Sequence, residues 1–98
     1  MLLNVTEKLK TFSGEVIKDN VNGEAVDADL RTALVNAILS PVQNETGMDK
    51  VKKYELAKRI HSKDEVELSK DDIELIKERV GELYVPLVVG QIFDKLDD

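Results

Sequence analysis

The sequence of 98 residues contains no cysteine and no tryptophan, and it has only one histidine and two prolines. Without cysteine the chain can form no disulfide scaffold, no thiolate zinc site and no cysteine nucleophile. A single histidine excludes any site that needs two imidazoles from one chain. No run approaches the roughly 18 to 20 apolar residues that a membrane-spanning helix requires. These absences remove several classes of function before any motif is considered.

Catalytic motifs are also missing. The five glycines are scattered, and no nucleophile elbow, phosphate loop or dinucleotide-binding fingerprint occurs. Carboxylates are plentiful, but acid–base chemistry needs a pocket that shifts their pKa values. We therefore expect a protein that is not an enzyme and that uses no cofactor and no metal. No basic leader precedes an apolar stretch at the start of the sequence, so we expect no secretion and a cytoplasmic location.

What is present suits a small folded domain. Hydrophobic residues make up 42% of the sequence and charged residues 35%, which is enough apolar material for a small core. The length predicts a single domain over 1–98, with an extended or hairpin part over 1–27 and a helical part over 28–98. The predicted fold class is mainly α, a compact bundle of about four short helices with a small N-terminal β-hairpin. Asn22-Gly23 is the hairpin signal, because both central residues of that turn need positive φ, and Ala25 and Val26 would begin the return strand.

Apolar spacing predicts the first two helices. The first spans Asp29 to Ser40, give or take two residues, with a cap at Asp27 or Asp29. Its inward face is predicted from the spacing i, i+3, i+4, i+7, i+8 to consist of Leu30, Ala33, Leu34, Ala37 and Ile38, widened by Val35 and Leu39. The second helix spans about Met48 to Ser62, and its inward residues are predicted to be Val51, Tyr54, Leu56, Ala57 and Ile60.

The third and fourth helices have clearer starts. Ser69 is predicted to cap the third helix, with Asp72 three residues on as a short variant of the capping box. Its inner face is predicted to be Ile73, Ile76, Val80 and Leu83, with Leu75 beside them. Pro86 suits the first turn of the fourth helix. In that helix Gly90 is predicted to permit a close helix contact.

The fourth helix is apolar on nearly every side. A helix of this kind is buried on several sides, which is hard to achieve in so short a chain. Two interpretations stay open: it is the central helix of the bundle, or it packs against another chain. For the second case we predict a protein interface made of Leu87, Val88, Ile92 and Phe93.

Charge is segregated along the sequence. The net charge is −6, but residues 47–63 carry +4 and residues 64–98 carry −7. The two segments either attract each other within the fold or present a charged face to a partner. The acidic face is predicted to comprise Glu67, Asp71, Asp72, Glu74, Glu78 and Glu82. A basic ridge on the second helix is predicted to comprise Lys52, Arg59 and Lys63.

The second half of the sequence has a family resemblance. Its segments are VKKYELAKRI at 51–60, VELSKDDIELIKERVG at 66–81 and YVPLVVGQIFDKL at 84–96; FSGEVIKD at 12–19 and LRTALVNAILSP at 30–41 are compatible with them. The sequence resembles small uncharacterised proteins of tailed bacteriophages and prophages. The resemblance implies a viral origin and a cytosolic life in an infected bacterium, and it carries over no catalytic residue.

These observations lead to one main hypothesis and two alternatives. The main hypothesis is a non-enzymatic protein–protein interaction module, a bacteriophage accessory or assembly factor that binds itself or a viral or host protein. The first alternative is an acidic decoy that inhibits a host nucleic-acid-binding enzyme through the acidic face. The weaker alternative is low-affinity nucleic-acid binding through the basic ridge, which the acidic balance of the chain disfavours.

Overall fold

The computed structural model describes residues 1–21 and 23–97 of the chain. The predicted fold class is confirmed: helices dominate, and a small antiparallel hairpin lies near the N-terminus. In the described residues the elements are, in order, β1 (Leu2–Asn4), β2 (Lys18–Val21), β3 (Glu24–Asp27), α1 (Leu30–Leu39), α2 (Gly47–Ser62), β4 (Glu65–Glu67), α3 (Lys70–Leu83) and α4 (Pro86–Leu96).

The predicted hairpin is formed by β2 and β3. The two strands are antiparallel, and Val21 lies opposite Glu24, so two residues connect them. Gly23 has a φ of +82°, in the left-handed region that glycine adopts without steric cost. Asn22, the other residue of the predicted turn, lies outside the described residues. Val16 precedes the hairpin and forms an isolated bridge with Lys10.

A second pair of strands was not predicted. Strand β1 pairs with β4 in antiparallel fashion, with Leu3 opposite Val66, although β4 lies in the part predicted to be helical. The Val5 N–H donates to the Asp64 carbonyl at 2.9 Å, which extends the pairing beyond the strands. The start of the chain is thereby attached to the connection between α2 and α3.

Side-chain caps define the helix starts. Asp29 accepts from the Thr32 N–H at 2.8 Å and caps α1 as predicted. Ser69 and Asp72 form a reciprocal capping box at the start of α3, with both hydrogen bonds between 3.0 and 3.1 Å. Thr46 and Asp49 form a second capping box at the start of α2, which was not predicted.

The core lies where the four described helices meet β1 and β4. All five residues of the predicted α1 face are buried, and α1 packs against both α2 and α3. Val51, Tyr54 and Leu83 were predicted to face inward, and this is wrong because each is about half exposed. The other predicted inward residues of α2, Leu56, Ala57 and Ile60, are buried, and Lys53 lies beside them. Leu39, predicted to widen the buried face of α1, is also exposed.

Two cations are buried beside this core. The Lys53 ammonium is paired with the Glu45 carboxylate, and both side chains are about nine-tenths buried. Arg79, on α3, donates to Glu82 and to the Ser40 hydroxyl, each at 2.6 Å. Long cationic side chains can pack their aliphatic stems like apolar residues. This explains how α2 and α3 turn cations towards the interior.

Candidate interaction surface

The predicted interface on α4 is largely taken up by the chain's own core. Ile92 is 0% exposed, and Val88 and Phe93 are half-buried and pack against the core. Leu87 is also half-buried. The Lys77 ammonium covers one side of the Phe93 ring at 5.4 Å from its centroid. Helix α4 packs on α3, so only part of the predicted interface remains accessible to another chain.

Gly90 does not mark a close contact within the chain. A Cβ atom placed on Gly90 would meet nothing within 4 Å among the described residues, so the prediction of a close helix approach there is wrong. The residue faces open space on an exposed part of α4. Next to α4, at the connection from α3, Leu83 and Val85 are exposed apolar side chains.

The acidic face divides into paired and unpaired carboxylates. Glu67 pairs with the Met1 amino group, Asp72 with Arg59 and Glu82 with Arg79. Burial raises the pKa of Asp72, but hydrogen bonds from the Ser69 N–H and from Arg59 outweigh it, so the pKa is lowered overall. The remaining members, Asp71, Glu74 and Glu78, are exposed and form no ion pair within the described residues. The face is therefore half as large as predicted.

The basic ridge is interrupted at its centre. Arg59 donates to Asp72 at 3.2 Å and to the Glu67 carbonyl at 3.3 Å, so its guanidinium joins the basic segment to the acidic one. Lys52 and Lys63 remain exposed and make no ion pair among residues 1–21 and 23–97. They are eleven positions apart, which corresponds to about 16 Å along a helix. Two lysines at that separation give no continuous cationic strip.

Phe12 is the most exposed large apolar side chain of the described residues, at 98%. It lies on a tight turn closed by two backbone hydrogen bonds, from the Thr11 N–H to the Glu15 carbonyl and from the Gly14 N–H to the Thr11 carbonyl. Gly14 has a φ of +92°, which only glycine adopts readily. The ring is therefore presented to solvent by a hydrogen-bonded turn. The sequence signal is an aromatic residue placed directly before Ser13-Gly14, outside any helical or alternating apolar pattern.

A shallow apolar groove lies between α1 and α2. Its volume is about 230 Å³, and it is lined by Val35, Leu39, Tyr54, Ala57, Lys58 and His61. Leu39 and Tyr54 are each more than half exposed there. The single histidine of the chain thus lies on a surface groove and not among candidate metal ligands.

A more enclosed cavity lies between the loop stems, α1 and α4. Its volume is about 280 Å³. The apolar wall includes Leu9, Ile17, Ala28, Ala33 and Val88, and the polar rim consists of Lys18, Asp27, Asp29, Thr32 and Asn36. A hydrogen bond from Lys18 lowers the pKa of Asp27 on that rim. Val88, predicted to belong to an interface, contributes to this wall.

The described residues contain no cluster of three or more side chains able to hold a metal ion. Nor does any helix in that part of the chain have the length and apolarity needed to cross a membrane. Comparisons with protein-family models, with curated proteins and with solved structures each found no match to the chain.

Proposed function

We propose that this protein is a non-enzymatic protein–protein interaction module that binds itself or another protein. The observation that carries the proposal is the Phe12 ring, which a hydrogen-bonded turn holds almost fully in solvent. Burying a phenylalanine side chain is worth roughly 1.5–3 kcal/mol, and the isolated chain forgoes this gain at Phe12. Aromatic side chains are enriched at interfaces and dominate their energetics. A partner that covers the ring would recover the stabilisation.

The resemblance of the sequence to small proteins of tailed bacteriophages supports a biological setting for this module, a bacterial cell infected by a phage. We propose an accessory or assembly factor that acts in the cytoplasm of an infected bacterium. Its partner is then a viral or host protein, or a second copy of the chain. The exposed apolar side chains of the α1–α2 groove, Leu39 and Tyr54, provide further contact area of the same chemical kind.

The test combines two measurements on the full chain. Sedimentation equilibrium over a range of concentrations reports self-association, and affinity capture from phage-infected cells reports a partner. We expect a dimer or larger species, or one partner retained in proportion to the bait and released by Phe12→Ser. A protein that stays monomeric and retains no partner would contradict the proposal.

The carboxylates Asp71, Glu74 and Glu78, which form no ion pair among the residues that the structure describes, favour a second candidate function, the acidic decoy. They fall at i, i+3 and i+7 on α3, so they share one face of the helix. An anionic strip of this kind would bind a cationic nucleic-acid site in a salt-dependent way. Charge reversal at Glu74 and Glu78 should then abolish binding to the target enzyme, and binding that is insensitive to salt would exclude the decoy.

A further inference from the structure

The Phe12 ring and the enclosed cavity lie at the same end of the molecule. Leu9 and Ile17 form part of the cavity wall, and they are also the stems of the loop that carries Phe12. The Ile17 N–H donates to the Leu9 carbonyl at 2.8 Å, which closes the loop at its base. The ring nevertheless does not fill its own cavity, since it is 98% exposed. A protruding apolar group and an apolar recess therefore stand side by side on one chain.

The cavity is large enough for a phenyl ring. Its volume is about 280 Å³, whereas a cavity of roughly 150 Å³ lined by apolar side chains already binds benzene. The wall towards the core is apolar, with Leu9 and Ala33 buried and Val88 half-buried. An aromatic side chain that enters would meet aliphatic carbon on several sides.

The charged groups beside the Phe12 ring and on the cavity rim favour the insertion of such a ring into such a cavity. Asp27 on the cavity rim already pairs with Lys18 and feels the charge of Lys8 within the same chain, whereas Asp29 on that rim forms no ion pair within the described residues. Lys10 is exposed and forms no ion pair within the described residues. It lies two positions before Phe12, so it would approach the rim carboxylates as the ring enters. Opposite charges at the edge of an apolar contact fix its orientation.

We propose that the occupant of the cavity is the Phe12 side chain of a second copy of this chain, and that the two copies exchange rings across a two-fold axis. This inference rests on the proposed interaction function and names the partner. In a two-fold dimer each surface element meets its counterpart twice, so a ring and a recess on the same end allow both insertions to occur together. The dimer would bury two aromatic anchors, each with the Lys10 ammonium of one copy near the Asp29 carboxylate of the other.

The test uses two variants that each remove one side of the contact. Phe12→Ala deletes the ring but leaves the cavity open, and Thr32→Trp fills the cavity but leaves the ring. Both residues are exposed, and the Thr32 N–H still reaches its Asp29 cap, so both variants should fold, as circular dichroism would verify. Met48→Ala, which trims another exposed apolar side chain far along the sequence, is the matched control.

Sedimentation equilibrium should find a dimer for the wild type and for Met48→Ala. Each of the other two variants should raise the dimer Kd about 100-fold, because two hot-spot rings are lost per dimer. An equimolar mixture of Phe12→Ala and Thr32→Trp should regain a heterodimer of intermediate affinity, since one ring and one open cavity then remain. Lys10→Glu should weaken the wild-type dimer, and more so at low salt.

Three results would overturn the inference. A wild-type dimer whose Kd is unchanged by Phe12→Ala would show that the copies meet elsewhere, and the proposed interaction function would survive. A wild type that stays monomeric up to about 1 mM would exclude the ring exchange; capture of a partner from infected cells would then decide the proposed function independently. Open chains of increasing size instead of a dimer would also contradict the two-fold arrangement.

Discussion

Arg79 is the least easily accommodated side chain of the described core. It is 4% exposed, and its Nε–H is buried with no hydrogen-bond partner in the described part of the chain. Its pairing partner Glu82 is largely exposed, so the ion pair spans the boundary between core and solvent. Replacing a buried charged group by an apolar group of similar volume is often neutral or stabilising, whereas truncation leaves a cavity. The aliphatic stem of Arg79 should therefore matter more to stability than its charge.

We predict that Arg79→Met leaves the free energy of unfolding within about 1 kcal/mol of the wild type. Arg79→Ala should lower it by about 2–4 kcal/mol, because it removes the stem as well. Ser40 loses a donor in both variants, but its hydroxyl still donates to the Ala37 carbonyl at 2.6 Å. Urea denaturation measures both values. Equal losses for Met and Ala would mean that the guanidinium hydrogen bonds dominate.

Asp72 contributes stability that depends on pH. Burial raises its pKa, but the hydrogen bonds from Ser69 and Arg59 outweigh this and set the pKa below the ordinary value of 3.8. A carboxyl group whose pKa is lower in the folded state stabilises the fold above the unfolded pKa. That contribution is lost as the pH falls through the folded pKa.

We therefore predict that Asp72→Asn is less stable than the wild type at pH 7, and that the difference shrinks as the pH falls below 3.8. Thermal unfolding followed at several pH values measures this. Asp71→Asn is the matched control, since Asp71 lies in the same first turn and caps nothing. A difference between Asp72→Asn and the wild type that stays constant down to acid pH would show that the charge of Asp72 is not involved.

At the scale of the elements, the helix interiors contain two glycines that the packing does not require. At Gly90 an added Cβ would meet open space, and at Gly81 it would lie 4.0 Å from the Phe93 ring, an ordinary van der Waals contact. Glycine inside a helix costs roughly 0.8–1 kcal/mol relative to alanine. Neither position has a positive φ, so alanine fits the backbone at both.

We predict that Gly81→Ala and Gly90→Ala each raise the free energy of unfolding by about 0.5–1 kcal/mol. Gly23→Ala is the contrasting variant, because a φ of +82° is unfavourable for any residue with a Cβ. It should lower stability by about 1–2 kcal/mol. Chemical denaturation measures whether each variant is more or less stable than the wild type. A loss of stability for Gly81→Ala or Gly90→Ala would contradict the open packing found around these glycines.

The elements that were predicted correctly depend on local chemistry. The start of α3 follows from the Ser69–Asp72 capping box, the start of α4 from Pro86, and the hairpin from Gly23. Strand β4 was missed because it is short and is defined by pairing with β1, more than sixty positions away. Such long-range pairing leaves no periodic signal in so few residues.

Part of the inward face of α2, Val51 and Tyr54, was assigned wrongly for a related reason. Apolar spacing favoured Tyr54, but the face that packs contains Lys53, whose charge is balanced by Glu45 from the preceding loop. Only the tertiary arrangement reveals that pairing.

The candidate interaction surface could not be predicted from the sequence either. The exposure of Phe12 and the cavity near Val88 depend on how the N-terminal segment lies against α1 and α4. The prediction of an interface on α4 relied too much on the apolar character of the helix, because Ile92 is buried in the chain's own core.

At the scale of the whole molecule, the N-terminal segment holds the helices together. The Leu30 N–H donates to the Glu7 carbonyl and the Arg31 N–H to the Val5 carbonyl, at 2.8 and 2.9 Å. Lys95 near the end of α4 pairs with Glu7 at 2.6 Å. Leu3, Val5 and Leu9 add their side chains to the common core. Because these contacts join the first ten residues to α1, β4 and α4, the strands and helices should unfold together.

Strand β1 permits a direct test of this cooperativity, because its side chains alternate between solvent and core. Leu3 is 5% exposed and Leu2 is 59% exposed. We predict that Leu3→Ala lowers the free energy of unfolding by about 2–4 kcal/mol, while Leu2→Ala changes it by less than about 0.5 kcal/mol. In the Leu3→Ala variant, helical circular dichroism and tyrosine fluorescence should shift to the same lower denaturant midpoint, as a two-state transition requires. If the helical signal kept its wild-type midpoint, the strand would be an appendage to an independent bundle, and the N-terminal segment would not hold the helices together.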